Sequence, residues 1–289
     1  MRIGVVVPMA VSDGRGQVPT WPQVRRFGQH AETVGLHSVW VCDHLLSSPP
    51  DDGIHEAWTI LAALATSTRH LELGQLVTCT SFRHPALLAK MATTADTVSG
   101  GRLILGLGAG WYDREYQAFG YPTDHRVSRF EEAISIIGPL LRGERVTLAG
   151  RYYQVRDALL RPPPDRAIPI LVAAKGRRML RLTARYADAW NTAWFGLPDD
   201  LLHRRLVELN AALQAQGRDP ATLRRTVGME IRDPEATDPG EGFGGSVDEL
   251  AWAIDAYERL GIDDLIVQLE PKTTRSLDRL AEALKLRAH

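Results

Sequence analysis

The chain has 289 residues, about the length of a complete α/β barrel, and 44% of them are hydrophobic, enough for a large core. The formal net charge of −1 gives no electrostatic reason to bind nucleic acid or an anionic membrane. The N-terminus lacks a signal peptide's apolar stretch, and no apolar run approaches the roughly 20 residues of a membrane span. The two cysteines, Cys42 and Cys79, are typical of a reduced protein. We therefore expect a cytoplasmic protein.

Short β-rich runs alternate with longer runs that carry apolar residues at helical spacing. The predicted strands cover 3–8, 38–44, 71–79, 102–110, 168–174, 187–193, 224–231 and 263–270. The predicted helices cover 22–35, 55–68, 85–101, 129–143, 177–187, 199–217, 246–261 and 274–287. A polar, hairpin-like insertion at 144–155 interrupts the alternation. Eight strand-helix units predict a single (β/α)8 TIM barrel, because an open doubly wound sheet usually stops at about five or six strands. Since no linker is visible, we expect one domain over 1–289.

Unusual residues follow six of the predicted strands. The second strand ends on Asp43-His44, and the others run into "PMA", "TCTSFRHP", "GLGAGWY", "AAKGRR" and "WNTAW". In a barrel these ends converge on one mouth, where active sites lie, so Asp43 and His44 are candidate functional residues rather than a polar loop start. His55 or His84 could complete a metal site with them, but no metal-ligand spacing such as H-x-x-x-H occurs. We therefore predict no metal.

Glycines alternate along the fourth strand, at Gly106, Gly108 and Gly110. This spacing differs from a dinucleotide fingerprint, in which the glycines open a helix. Alternate glycines leave one strand face bare, either for close approach of a flat ligand or for tight packing inside the barrel. The sequence is compatible with both.

Basic residues crowd the predicted start of a helix in "AAKGRRMLRL", at Lys175, Arg177 and Arg178. Cations at a helix N-terminus oppose the helix dipole. A bound anion would reverse that cost, because free N–H groups, dipole and side chains would all favour it. An exposed basic turn is the alternative, and we favour a phosphate site.

The chain resembles the luciferase-like flavin- or deazaflavin-dependent oxidoreductases, which are (β/α)8 barrels. The resemblance is carried by "SVWVCDH", "GGRLILGLGAGWYDREYQAFGYP", "GRYYQV" and "IPILVAAKGRRMLRLTARYADAWN". The segments "GAGWYDREYQAFGYP" and "ARYADAWN" are most similar to the branch that uses coenzyme F420, and users of FMN share much of the frame. In sugar-phosphate dehydrogenases of the family a carboxylate stands where this chain has Trp111, so we do not expect that substrate.

The resemblance implies roles for individual residues. His44 is implied as catalytic, with Asp43 orienting it or bonding the cofactor ring, and Leu76–Val77 matches the place of a non-proline cis peptide. The implied cofactor site comprises Asp43, Leu76, Val77, Thr78, Gly108, Ala109, Gly110, Ala174, Lys175, Gly176, Arg177 and Arg178. The implied substrate pocket comprises Met9, Trp111, Asn191 and Trp194.

The resemblance therefore predicts an oxidoreductase that transfers a hydride between coenzyme F420 and a small organic substrate in a pocket at the barrel mouth. The alternative is an FMN-dependent monooxygenase that uses O2 and a partner flavin reductase. A homodimer is the expected assembly, with neither nucleic acid nor membrane as a partner.

Overall fold

The strands and helices alternate along the chain. A computed structural model describes residues 1–11, 17–47, 52–235 and 242–287. The strands are β1 (Arg2–Val6), β2 (Ser38–Val41), β3 (Glu72–Gln75), β4 (Thr78–Cys79), β5 (Leu103–Gly108), β6 (Val146–Ala149), β7 (Gln154–Ala158), β8 (Ile170–Ala173), β9 (Ala189–Phe195), β10 (Arg224–Arg232) and β11 (Asp264–Glu270). The helices are α1 (Trp21–Thr33), α2 (Ala57–Ser67), α3 (Pro85–Ser99), α4 (Asp113–Phe119), α5 (Arg126–Leu141), α6 (Arg177–Tyr186), α7 (Asp200–Ala215), α8 (Val247–Arg259) and α9 (Thr274–Leu286).

The parallel strands form a closed barrel. Their order is β3-β2-β1-β11-β10-β9-β8-β5-β4, and a further pairing of β3 with β5 closes the ring. β3 and β4 are two parts of one strand position, separated by Leu76 and Val77, so the ring has eight strand positions. The predicted (β/α)8 barrel is confirmed. No helix in the described part of the chain is long and apolar enough to span a bilayer.

The barrel interior is filled by a small apolar cluster under the mouth. Its members are Val6, Trp40, Ile104, Leu171, Ala189 and Ile266. Gly74 makes room for the Trp40 ring, because a Cβ there would lie 2.3 Å from Trp40 Cζ3. Leu76 and Val77 pack on this cluster and also line the cavity above it. The interior is therefore a closed floor, and a ligand has room only at the mouth.

The structure differs from the predicted elements at three places near the mouth. β2 ends at Val41 rather than at 44, and the side chain of Asp43 beyond it accepts the Cys79 N–H of β4. The third strand is interrupted at the Leu76–Val77 peptide, which is cis as predicted. A short helix that we did not predict, α4, follows β5. The predicted insertion is an antiparallel hairpin of β6 and β7 that extends to Ala158.

Candidate active site

One cavity of about 550 Å³ lies at the C-terminal mouth of the barrel. It brings together residues that the sequence places on five different strand ends. The predicted site residues that line it are Asp43, His44, Leu76, Val77, Gly108, Ala109, Gly110, Trp111, Ala174, Lys175, Asn191 and Trp194. Residues that line it without having been predicted are Cys79, Phe82, Glu115, Ala173, Met179, Thr192 and Ala193. Its volume is in the range of about 300–1,000 Å³ that is usual for ligand pockets.

The other predicted residues lie outside the cavity lining. Met9 is buried in the main core, and Thr78 is fully buried on β4. Gly176 is the N-cap of α6, and Arg177 is exposed in its first turn. Arg178 points to α5, where its Nε donates to Glu131 Oε2 at 3.0 Å and its Nη1 donates to Ser128 Oγ at 2.9 Å.

Asp43 is bound by Arg83 rather than by His44. Arg83 Nη1 donates to Asp43 Oδ2 at 2.6 Å and Nη2 donates to Oδ1 at 2.8 Å. The Cys79 N–H also donates to Oδ2, at 2.9 Å. Burial raises the pKa of the Asp43 carboxyl, and the Arg83 guanidinium and the Cys79 N–H oppose that rise. The expectation that Asp43 orients His44 is therefore not met by the geometry.

The acid that contacts His44 is Glu115, on α4. His44 Nδ1 lies 3.1 Å from Glu115 Oε1. The same oxygen accepts the N–H of Leu45 at 2.6 Å and that of Leu46 at 3.1 Å. Glu115 is 2% exposed, so its contacts are shielded from water. This carboxylate therefore fixes both the imidazole and the loop after β2.

The alternate glycines of β5 provide close packing. A Cβ at Gly106 would lie 1.9 Å from the carbonyl oxygen of Gln75, and one at Gly108 would lie 2.5 Å from Val77 Cγ2. Gly110 has a positive φ of 79°, a conformation that glycine adopts without steric cost. Gly108 and Gly110 also line the cavity. The packing interpretation therefore holds along β5. At the end of the strand nearest the mouth, Gly108 and Gly110 also leave backbone atoms facing the cavity without side chains.

A second non-proline cis peptide, Ala193–Trp194, also lines the cavity and was not predicted. Trp194 is 37% exposed at the cavity wall. Trp111 is 70% exposed and stacks on Tyr112 with ring centroids 5.3 Å apart. It also meets the His44 ring edge-on, at 5.7 Å. Aromatic side chains therefore form the outer wall.

A buried hydrogen-bonded group anchors α4 to the cavity floor. Tyr116 is 0% exposed, and its hydroxyl donates to the Ala109 carbonyl at 3.0 Å. Cys79 Sγ lies 3.0 Å from the same hydroxyl oxygen. Burial raises the pKa of the Cys79 thiol, so it stays protonated at neutral pH. Cys79 is thus a packing residue, as predicted.

Lys175 lies at the rim between β8 and α6. Burial lowers the pKa of its ammonium group, and the nearby Arg205 guanidinium lowers it further. Arg205 donates to the hydroxyl of Thr192, another cavity residue. Charged groups of the same sign in one place favour a bound anion. In the described part of the chain, no group of three or more His, Cys, Asp or Glu residues could hold a metal ion.

Sequence reasoning missed Glu115, Arg83 and Arg205. Glu115 had a readable signal, because "DREYQAFG" carries acids in a first turn and a glycine at a C-terminus, both marks of a short helix. Arg83 lay within "TCTSFRHP", a strand end that we had noted, but its partner is 40 residues away. Arg205 sits within a regular amphipathic helix and gave no signal.

Proteins of known function match over most of the chain. An F420-dependent hydroxymycolic acid dehydrogenase of Mycobacterium tuberculosis is 34% identical over 84% of this chain and 71% of the relative. A phthiodiolone/phenolphthiodiolone dimycocerosates ketoreductase of Mycobacterium bovis is 36% identical over 71% of this chain and 59% of the relative. An F420-dependent glucose-6-phosphate dehydrogenase of Microbacterium testaceum is 35% identical over 66% and 58%. The chain thus spans less than two thirds of the second and third relatives.

Solved structures share the fold over nearly the whole chain. An F420-dependent secondary alcohol dehydrogenase in complex with an F420-acetone adduct has a TM-score of 0.84 at 19% identity, covering 99% of this chain and 98% of that one. The EDTA monooxygenase from Chelativorans has a TM-score of 0.82 at 14% identity, covering 100% and 94%. At these identities the likeness establishes the barrel alone.

The family model described as luciferase-like monooxygenase matches residues 1–231, well over half of the chain. The motifs that carried the resemblance lie within these residues. This match and the first relative agree with the fold and confirm the predicted family: the chain belongs to the luciferase-like monooxygenases.

Proposed function

We propose that this protein is an oxidoreductase that uses coenzyme F420 to transfer a hydride to or from a small organic substrate. The observation that carries the proposal is that His44 lines the same cavity at the barrel mouth as the predicted cofactor-binding residues Val77 and Gly108. The names of two of the relatives, both of them F420-dependent dehydrogenases, favour F420 over FMN.

The residues present fit a flat, anionic cofactor. Val77 and the backbone of Gly108 to Gly110 offer a wall with few side-chain atoms, next to the closed apolar floor. Lys175 and Arg177 would hold the phosphate-bearing tail at the rim, with Ala174 and Gly176 between wall and helix. When bound, the cofactor supplies a carbon that accepts or donates a hydride.

His44 would act on the substrate oxygen. None of the described residues hydrogen-bonds its Nε2, and its side chain is 31% exposed towards the cavity. The ring would hold the oxygen of an alcohol or ketone and move its proton as the hydride moves. Asp43, fixed by Arg83, would hold a polar edge of the ring. Trp111, Asn191 and Trp194 would bound the substrate.

Cofactor titration tests the proposal. We expect purified apoprotein to bind coenzyme F420 more tightly than FMN, and the reduced complex to be oxidised by members of a panel of ketones, aldehydes and unsaturated ketones. Tighter binding of FMN, with oxygen consumption that requires a flavin reductase, would instead establish the monooxygenase alternative.

The His44→Ala variant separates chemistry from binding. Positioned acid–base groups contribute about 10²–10⁴-fold to rate, so single-turnover hydride transfer should fall by that factor while affinity for the cofactor changes little. Full activity in this variant would return Asp43-His44 to the interpretation as a polar loop start after a buried strand.

The assembly and the location remain proposals, the first from the resemblance and the second from the composition of the chain. We propose a homodimer, to be tested by analytical ultracentrifugation of the purified chain. We also propose that the protein works in the cytoplasm, in agreement with Cys42 and Cys79 forming no disulfide bond among the described residues.

A further inference from the structure

We infer that Glu115 is a positioning residue for His44, holding the imidazole as the Nδ1–H tautomer so that the Nε2 lone pair faces the cavity. The tautomer itself follows from the geometry of the chain. Its consequence for turnover rests on the proposed function.

The tautomer is set by what surrounds one carboxylate oxygen. Glu115 Oε1 accepts the backbone N–H groups of Leu45 and Leu46, and neither of these groups can accept a proton. Oε1 is therefore an acceptor. His44 Nδ1 lies 3.1 Å from the same oxygen, and two lone pairs at that distance would repel. Nδ1 must therefore carry the hydrogen, which leaves Nε2 unprotonated in the neutral ring.

Glu115 is itself held in place. The next residue, Tyr116, is fully buried and bonds the Ala109 carbonyl and Cys79, which fixes the start of α4 against the cavity floor. Water does not compete for the carboxylate, because the Glu115 side chain is only 3% exposed. A rigid, buried acceptor restricts both the rotation and the tautomer of the ring that it bonds.

The arrangement suits proton exchange with an alcohol or a ketone. In the oxidation of an alcohol, the O–H proton would move to His44 Nε2 as the C=O double bond forms, and the bound cofactor would supply the acceptor for the hydride that leaves the C–H carbon. The resulting imidazolium keeps its Nδ1–H bond to the Glu115 carboxylate. In the reverse direction the Nε2–H protonates the ketone oxygen as the hydride arrives.

The chain provides a matched control for the loop-holding role of Glu115. Glu132, on α5, accepts the backbone N–H groups of Arg151, Tyr152 and Tyr153 at 2.8 to 3.0 Å. It therefore anchors a loop through three N–H bonds as Glu115 does through two, but the described residues give it no histidine partner. Glu132→Ala measures what the loss of a loop anchor does to turnover.

The first readout needs no cofactor. Nitrogen NMR of histidine-labelled apoprotein at about pH 8.5, where a free imidazole is neutral, distinguishes the two tautomers. The His44 signal is assigned by its loss in His44→Ala. We expect the Nδ1–H form in the wild type and in Glu132→Ala, and a mixture of tautomers in Glu115→Ala. A predominant Nε2–H form in the wild type would overturn the inference.

The second readout is turnover in variants that separate orientation from charge. Glu115→Gln keeps a side-chain oxygen that can accept the N–H groups of Leu45 and Leu46, so we expect the fold and the tautomer to persist. We expect kcat to fall about tenfold, because a hydrogen bond to a charged group is stronger than one to a neutral amide. Glu115→Ala should lower kcat by about 10²-fold or more, the contribution of a positioned acid–base group. Cofactor affinity should change little in both, as should every quantity in Glu132→Ala.

Equal kcat values in Glu115→Ala, Glu132→Ala and the wild type would overturn the positioning role. A wild type that binds neither F420 nor FMN would refute the proposed function instead, and the tautomer measurement on apoprotein would still decide the state of His44.

Discussion

The guanidinium of Arg83 donates two hydrogen bonds to the Asp43 carboxylate, of 2.6 and 2.8 Å. Their side chains are 12% and 1% exposed, respectively. Removing one partner of such a pair leaves a buried charge uncompensated, which typically costs about 3–5 kcal/mol. We therefore expect Arg83→Met to lower the free energy of unfolding by about that amount, measured by urea denaturation.

The pH dependence of this loss has a defined sign. Burial raises the pKa of Asp43, and without Arg83 only the Cys79 N–H still opposes that rise. A carboxyl with a raised pKa in the folded state binds a proton that the unfolded chain has lost, so the variant is least stable above the raised pKa and recovers as the pH falls below it. Asp43→Asn combined with Arg83→Met should recover stability at neutral pH. A loss no larger than that of Arg2→Met, which breaks a more exposed pair with Glu72, would contradict the argument.

Patterns local in the sequence predicted the barrel and the edge at which its site lies. Eight alternations of strand and helix fix a closed parallel sheet, and a closed parallel sheet collects its strand ends at one mouth. Asp43, His44, Trp111 and Lys175 could therefore be assigned to one cavity although they come from different strand ends.

The pairings within the cavity could not be predicted in the same way. His44 and Glu115 are 71 residues apart, and Asp43 and Arg83 are 40 apart. Which acid meets which base depends on where each loop leaves its strand, and the early end of β2 at Val41 decides this. The adjacency of Asp43 and His44 in the sequence suggested a pair, whereas Asp43 bonds Arg83 after β4 and His44 bonds Glu115 on α4.

Alanine substitutions at two glycines of β5 are predicted to differ in their effects on stability and on cofactor binding. A methyl group at Gly106 would meet backbone, the Gln75 carbonyl oxygen at 1.9 Å, so Gly106→Ala should lower the free energy of unfolding by about 1–3 kcal/mol or more. At Gly108 the nearest atom belongs to a side chain, Val77 Cγ2 at 2.5 Å, so Gly108→Ala should displace Val77 and weaken cofactor binding more than it lowers stability.

Gly138 of α5 is the control for this pair. An added Cβ there would meet only Arg142 Nη1, at 3.5 Å, and alanine is favoured over glycine in a helix by about 0.5–1 kcal/mol. Thermal melting and cofactor titration of the three variants test the ranking. A Gly106→Ala protein as stable as Gly138→Ala would show that the close packing of β5 on β3 is not required.

Lys175 should make anion binding depend on pH. Burial and then Arg205 hold the pKa of Lys175 below its ordinary value of 10.5. Only the protonated amine attracts a phosphate, so affinity for the anionic cofactor should be full below that pKa and fall as the pH rises through it. Because a bound anion raises the pKa of the amine in turn, binding should take up protons in this range.

Titration of the protein with F420 between neutral pH and pH 10 measures the effect. Lys175→Met should bind more weakly at neutral pH and lose the decline at high pH, while Lys90→Met, on α3 outside the cavity, should behave as the wild type. If the affinity of Lys175→Met for F420 still fell at high pH as in the wild type, the pH dependence would belong to another group.

Trp111 gives a prediction in which binding and stability separate. It is 70% exposed, so it contributes little to the core, yet it lines the cavity, and its ring centroid lies 5.7 Å from that of His44. An aromatic face exposed beside the reacting position stabilises an apolar ligand by about 0.5–1.5 kcal/mol beyond the area that it buries. Trp111→Ala should therefore raise KM for an apolar ketone roughly tenfold, with kcat, cofactor affinity and melting temperature changed far less.

Trp252, 57% exposed on α8 and outside the cavity lining, is the matched control, and Trp252→Ala should leave KM unchanged. If both variants had the same KM as the wild type, the substrate would not rest on the aromatic wall. If Trp111→Ala instead lowered the melting temperature as much as a core substitution, the side chain would be a packing residue despite its exposure.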